Sequence, residues 1–390
     1  MKGIKCVAPI FDLNGYAQWS RGYILGLIEL GVPLTIFPVS FDAQGPKADL
    51  GEDGEILKRY VNKDIEYDTV ITWLVPDISK KILAQEPKSV KRVNMSLWEA
   101  DKLPDSWIVS FNELNEVWVC GEWNRKIYQK SIDNFYTENS QYKNLKNLKV
   151  KVVPYPANCS EFLEDVSMDI QDIVGDKADF TDYFKFYFIS QWNERKNFAD
   201  LLYAFWSEFT VDDKVLLILK TYISDQSSED RDKVQNMLQH FNRSTGLKDL
   251  PPVLLLHGAF STEQMVGIHN MCDCFVSPSR GEGLGLGIVE ATLTGTPVIC
   301  NTFGEQVSYI EGHLYTYNHS LRPVVGMTGW YNFTQNWASP DVKGMAKQMR
   351  EVYCNPEDAV EVAQAGRDLL IKKFSRKATA ECIVKHLGEK

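Results

Sequence analysis

Short runs of β-branched and aliphatic residues alternate with amphipathic stretches along this chain, and the alternation passes through twice. That texture constrains the fold more than any other feature. Buried parallel strands read as continuous apolar runs, and each needs a crossover helix before the next. In the first half, strands are expected at residues 4–8, 34–38, 69–74, 92–96, 116–119 and 149–153. A helical stretch from Gln18 to Leu30 ends at Gly31-Val32-Pro33. Residues 157–182 then turn acidic and weakly patterned, and the alternation restarts with strands at 184–190, 215–220, 253–256, 275–278 and 298–300. Helices are expected at 198–209, near 229–241, and at 262–270 and 284–293, with a helical tail from Pro340 broken near Asn355-Pro356 and Phe374-Ser375. Two doubly wound α/β domains follow, binding ligands at the carboxyl ends of their strands.

Composition agrees with two domains, since 390 residues exceed one ordinary core at roughly 100–200 residues per domain. With 44% hydrophobic and 24% charged residues the chain is globular, and no apolar run approaches the roughly 18 residues of a membrane span. The formal charge of −10 lies wholly beyond residue 160: residues 1–160 carry 20 basic and 20 acidic side chains, residues 161–390 carry 22 and 32. That acidity disfavours general nucleic-acid or anionic-membrane binding. Residues 1–6 lead into a strand, with Lys2 and Lys5, rather than a signal peptide. A cytoplasmic protein with eight reduced cysteines is therefore expected, and Asn-x-Ser/Thr sequences at Asn94, Asn158, Asn242, Asn318 and Asn332 read as chance matches. Cys272 and Cys274, two apart with no second pair, are a poor metal set.

The most informative segment is SPSRGEGLGLGIVEATLTGTPVICNTFGEQVSY, residues 277–309. A strand runs into a loop holding Gly281, Gly283, Gly285 and Gly287, and the loop opens a helix. Such a loop lets backbone approach a ligand, and free N–H groups at the helix start favour phosphate. With a helix beginning near Leu284, the carboxylates of Glu282 and Glu290 stand about 10 Å apart along it. That span suits one carboxylate on a sugar, another on a ribose, and a diphosphate between them.

Glu282 and Glu290 form an E-x7-E pair in PSRGEGLGLGIVEA, followed by GTPVICNTFGE. This resembles the retaining, family-four (glycosyl transferases group 1) class of GT-B glycosyltransferases. FISQWNERKNFADLLYAF is similar to the class's first strand and helix of the donor domain, and HGAFSTEQMVGIHNMCDCFVSPSRGEG to its approach to the donor loop. NELNEVWVCGEWNRKIYQKS and FDLNGYAQWSRGYILGLIELG look like acceptor-domain elements, with less specificity. The resemblance implies a GT-B fold of two Rossmann-like domains facing a cleft. An acceptor-side domain would occupy residues 1–160, a linker 161–182 and a nucleotide-sugar donor domain 183–365. A terminal helix, 366–390, would return to the first domain.

The roles implied by the resemblance attach residue by residue. Glu290 would hold ribose hydroxyls and Glu282 those of the transferred sugar. Backbone around Gly283, Leu284 and Gly285 would face the sugar and distal phosphate. Lys196 matches the class's phosphate lysine, and a cation there meets the charge gained by the leaving diphosphate. Where the class has an arginine this chain has Gln191, so either Arg195 or Arg280 would supply the second cation or the donor pocket would be less cationic. No histidine precedes His240, so the class's cleft histidine has no counterpart, and Glu99 takes its place as candidate contact for the sugar or acceptor hydroxyl. A helix-start carboxylate is the other reading of Glu99. Gly15 and Tyr16, in the first βα turn, are candidates to approach the diphosphate or acceptor.

The activity implied is hexosyl or pentosyl transfer from a UDP- or GDP-sugar with retention, through front-face attack and without metal or cofactor. The acceptor expected is a glycan or lipid-linked glycan. A hydroxymethylated DNA base is an alternative acceptor, and a nucleotide-sugar epimerase or a non-catalytic sugar-nucleotide-binding protein are alternative functions. Other features read as structural. Lys143, Lys146, Lys149 and Lys151 form one lysine-rich solvated face, and Lys80, Lys81, Lys88, Lys91 and Arg92 another. Asp230 and Asp232 read as a solvated pair, His257 as structural or a base-edge contact, and Trp19 as the tryptophan to test as a sugar platform.

Overall fold

A computed structural model describes residues 2–41, 48, 50–157, 160–174, 178–310, 312–327 and 329–389. Asn158 and Cys159, and residues 175–177 of the expected linker, lie outside the described residues. The chain divides into two compact units. The first comprises Met1–Asn158, Thr328–Gln335 and Ile371–Lys390, and the second Cys159–Met327 and Asn336–Leu370.

In the first unit, strands β1 (Ile4–Ala8), β2 (Leu34–Pro38) and β3 (Thr69–Trp73) alternate with helices α1 (Gly15–Glu29), α2 (Gly51–Lys58) and α3 (Pro76–Leu83). Then come β4 (Lys91–Met95), α4 (Asp105–Phe111), β5 (Glu116–Val119), α5 (Glu122–Glu138) and β6 (Lys149–Val152). The sheet order is β2-β1-β3-β4-β5-β6, parallel throughout, with Ile4 in register with both Leu34 and Thr69. The order steps outward from β1 in both directions, so the carboxyl ends of β1 and β3 form the switch point where such sheets hold ligands.

The second unit opens with the short helix α6 (Ile170–Val174), followed by β7 (Phe184–Gln191), α7 (Phe198–Glu208), β8 (Val215–Tyr222), α8 (Ser228–Ser244) and β9 (Val253–Leu256). Next are α9 (Thr262–Met271), β10 (Cys274–Ser277), α10 (Leu286–Leu293), β11 (Val298–Asn301), α11 (Gln306–Tyr309) and β12 (Tyr315–Tyr317). Its parallel sheet runs β12-β11-β10-β7-β8-β9. A hairpin of β13 (His319–Pro323) and β14 (Asn336–Pro340) lies apart from it, and α12 (Val342–Cys354), α13 (Pro356–Lys373) and α14 (Arg376–Gly388) complete the chain. The run Val215–Leu219, with which β8 begins, is fully buried, and each such side chain stabilises by roughly 1.5–3 kcal/mol. That double-sided burial explains why the strand reads as an unbroken apolar run.

The terminal helix α14 packs on α1 within the first unit, and the approach is close: a Cβ on Gly26 would come within 2.3 Å of the Arg376 carbonyl oxygen. Arg376 is anchored to Asp53 at 2.7 Å. Lys151 joins the same unit's body to its terminus, pairing with Glu116 at 3.1 Å and Glu389 at 3.0 Å. Lys91 also pairs with Glu116, at 3.0 Å, and Arg92 is buried with its guanidinium on the Glu86 carbonyl. Parts of both lysine-rich faces are thus internal ion-pair networks rather than solvated surfaces.

Three further expectations change. Trp19 is 1% exposed, its indole N–H donating to the Tyr23 hydroxyl at 3.3 Å, so it is core and offers no sugar a platform. Asp230 is buried at the start of α8, accepting from the backbone N–H groups of Ile223 and Ser224 and facing His257 Nε2 at 3.1 Å. It closes the β8–α8 turn, and only Asp232 is solvated. Helix α10 begins at Leu286 rather than Leu284; Glu282 lies in the loop, as expected, but the later start removes the premise of a span to Glu290 measured along the helix. Among the described residues no helix is long and apolar enough to cross a membrane.

Candidate functional site

The glycine-rich loop leaves the carboxyl end of β10 and is held from several sides. Tyr317 donates its hydroxyl to the Ser277 carbonyl at 2.8 Å, Asn197 donates to Pro278 at 3.1 Å and Asn301 to Ser279 at 2.5 Å. The Arg195 guanidinium donates to the Gly281 carbonyl at 2.6 Å, and Tyr309 donates to that of Leu284 at 2.6 Å. Gly285 ends the loop as the cap of α10 in the left-handed region, φ +79°, where glycine meets no Cβ penalty. Gly283 and Leu284 are buried beside it.

Glu282 is 8% exposed in this loop, with Lys196 Nζ on Oε1 at 2.5 Å and Arg195 Nη1 on Oε2 at 3.4 Å. Burial by itself would raise its carboxyl, but the charges of Lys196 and Arg195 and the Lys196 hydrogen bond outweigh that and lower the pKa to about 2. Both cations come from the turn between β7 and α7. Lys196 there donates its backbone N–H to Asn193, and Asn197 adopts a left-handed φ of +57° at the start of α7. The site therefore holds two cations on one ionised carboxylate, beside the N-terminus of α10.

Glu290 lies in the second turn of α10, partly buried. Its Oε2 is 3.9 Å from His269 Nε2, but burial lowers the His269 pKa to about 3, so the ring is neutral and this is no ion pair. His269 is held through Nδ1 by the Tyr187 hydroxyl at 2.6 Å. Gln191 ends β7 exposed, donating its amide to the Ile223 carbonyl at 2.8 Å. Arg280 is buried and bonded to Asn197 Oδ1 at 2.7 Å and Asp200 at 3.4 Å, with Glu194 at 3.7 Å. Of the two arginines read as substitutes for the missing cation, Arg195 thus stands at the glycine loop and Arg280 beneath it.

In the first unit, Gly15 is exposed at the first position of α1, after Asn14 caps the helix by accepting from Ala17 N at 3.0 Å. The Tyr16 ring sits edge-on to Trp19 and Phe41. Burial raises its hydroxyl pKa, and the nearby Glu99 charge raises it further. Glu99 follows β4 in a loop six residues ahead of α4, so it does not serve as a helix-start carboxylate. The Tyr331 hydroxyl donates to Glu99 Oε2 at 3.1 Å, and the Tyr331 ring stacks on Trp98 at 4.9 Å. Trp330 beside it donates to Asp77 at 2.8 Å and meets Trp107 edge-on. Sequence reasoning missed this pair. The signal was present as adjacent large aromatics, Trp330-Tyr331, between Gly329 and Asn332.

Residues 169–317 match the family model described as glycosyl transferases group 1. No curated protein matches the chain in a sequence comparison. Among solved structures, sucrose-phosphate synthase from Thermosynechococcus elongatus is similar at 15% identity and a TM-score of 0.65, covering 99% of this chain and 98% of that one. A structure described as trehalose-6-phosphate from E. coli bound with UDP-2-fluoro glucose aligns at 10% identity and TM-score 0.67, over 99% of each chain. A trehalose-6-phosphate synthase studied for glycosyl transfer with retention aligns at 11% and 0.65, over 98% of each. At these identities the likeness establishes the fold, α/β of the GT-B type.

Proposed function

We propose that this chain, whose donor unit is that of a group 1 glycosyltransferase, moves a sugar from a nucleotide-sugar to a hydroxyl of a carbohydrate acceptor with retention and without a metal ion. The observation that carries the reading is Glu282, buried and ionised under Lys196 and Arg195 in the loop that leads into α10. A carboxylate so held accepts hydrogen bonds from paired sugar hydroxyls, and the two cations beside it suit a diphosphate. Glu290, one further turn along α10, takes the ribose hydroxyls, and the loop backbone from Gly283 to Gly285 faces the sugar and distal phosphate. The titles of the structural relatives name sucrose-phosphate and trehalose-6-phosphate synthases, one with UDP-2-fluoro glucose bound. They support a carbohydrate acceptor, a glycan or lipid-linked glycan by the class resemblance, and a UDP- or GDP-sugar donor.

In the chemical step the bond from the anomeric carbon to the phosphate oxygen breaks, and the acceptor oxygen bonds to that carbon on the same face. The acceptor proton passes to the departing phosphate oxygen, so no enzymic nucleophile is needed. Lys196 and Arg195 neutralise the charge that gathers on the diphosphate, and the remaining work is positioning. On the first unit, Glu99 with Tyr331 behind it contacts a hydroxyl of the sugar or acceptor, and Gly15 and Tyr16 line the ligand's approach.

Single substitutions test the division of roles. Glu290→Ala is expected to weaken nucleotide binding at least tenfold, the loss of about one charge-assisted hydrogen bond. Glu282→Ala is expected to bind the bare nucleotide normally and to lose turnover or sugar discrimination. Equal binding and equal activity in both variants contradict the assignment.

A further inference from the structure

Lys220, near the end of β8, is 9% exposed, yet its ammonium makes no hydrogen bond or ion pair among the described residues. It stands instead over two rings, 5.3 Å from the centroid of Phe260 in the loop after β9 and 5.6 Å from that of Tyr222. Packing beside the two rings partly desolvates the ammonium and lowers its pKa. Its three N–H donors are thus available to an acceptor that enters between the rings.

The position of Lys220 says what arrives. It pairs with Ile189 across the sheet, two residues beyond the Tyr187–Ile218 pair. Tyr187 reaches His269 on α9, so Lys220 lies on the sheet face that carries α9. Glu290, 3.9 Å from His269, belongs to that face too. Strand β8 is separated from β10, which leads into the loop that carries Glu282, by β7 alone. Two strand spacings are about 10 Å, the distance that a ribose and diphosphate place between a transferred sugar and its base.

Resting on the donor site proposed above, we propose that Lys220 reads the nucleobase, donating to a ring carbonyl oxygen with Phe260 and Tyr222 beside the base plane. Uracil and guanine carry such an oxygen and adenine does not. The aromatic walls favour a flat ring over a further phosphate, whose cations stand at the glycine loop.

Calorimetric titration of UDP, GDP and ADP into the full-length protein and Lys220→Met tests this, with Glu290→Ala as control. The wild type is expected to prefer UDP or GDP. Lys220→Met is expected to weaken the preferred nucleotide about 10- to 100-fold and to change ADP binding less than about threefold. Glu290→Ala should weaken all three together. The unfolding midpoint of Lys220→Met serves as a second reading: it should lie at or near the wild type, since the substitution keeps the apolar stem and removes a partly desolvated ammonium that makes no ion pair. Unchanged selectivity in Lys220→Met, a preference for ADP in the wild type, or a midpoint well below wild type each overturn the base-reading role. Binding of no nucleotide by the wild type removes the donor site itself, and the two failures are thereby told apart.

Discussion

Glu282 concentrates the account at the scale of one residue. Its carboxyl has a pKa of about 2 in the folded protein against an ordinary 4.5, because the Lys196 and Arg195 charges outweigh burial. A depressed carboxyl stabilises the fold fully above its unfolded pKa, and the contribution fades as pH falls through the folded one. The shift corresponds to about 3 kcal/mol. Urea unfolding of the protein and of Glu282→Gln should therefore show a free-energy gap that holds from about pH 7 to 5 and narrows from pH 4.5 downward. A gap that stays constant to about pH 3 contradicts the ion-pair origin of the shift. This residue was legible in the sequence as part of an E-x7-E pair, and so was Lys196. Their bond to each other was not, because 86 residues separate them and only the pairing of β7 with β10 brings the two loops together. Asp230 failed for a related reason: its SSEDRDK surroundings read as solvated, whereas the turn after β8 folds its backbone N–H groups over that one carboxylate.

At the scale of elements, the loop-to-helix junction at Gly285 is where conformation and chemistry meet. A left-handed cap at φ +79° is strained for any residue with a Cβ, and an added Cβ would press on Ile288 Cδ1 at 3.3 Å. Gly285→Ala is expected to cost about 1–2 kcal/mol and to weaken nucleotide-sugar binding, because α10 presents its N–H groups through this turn. Gly285→Asn should cost less, asparagine being tolerated in that region. Equal thermal midpoints for Ala and the wild type would remove the turn from the explanation. Strands were the most legible elements, since an almost wholly buried strand such as β8 offers no polar face to confuse the pattern. The β13–β14 hairpin was not expected: His319–Pro323 and Asn336–Pro340 are short, polar and end in proline, and their pairing depends on a long connection. That same connection carries Trp330 and Tyr331, which explains why the partner of Glu99 went unseen.

At the scale of the whole molecule, the double α/β alternation predicts two parallel sheets, and the structure has two six-stranded ones. In the second unit, the β10–α10 loop with Glu282, Lys196 and Glu290 is proposed to bind a nucleotide-sugar and to activate it without metal. The most direct test is a thermal-shift and NMR hydrolysis panel of UDP-, GDP-, ADP- and dTDP-sugars, run with EDTA and without acceptor. A UDP- or GDP-sugar should raise the melting midpoint and be slowly hydrolysed with chelator present. Stabilisation by none of the four, or hydrolysis abolished by EDTA, would contradict it.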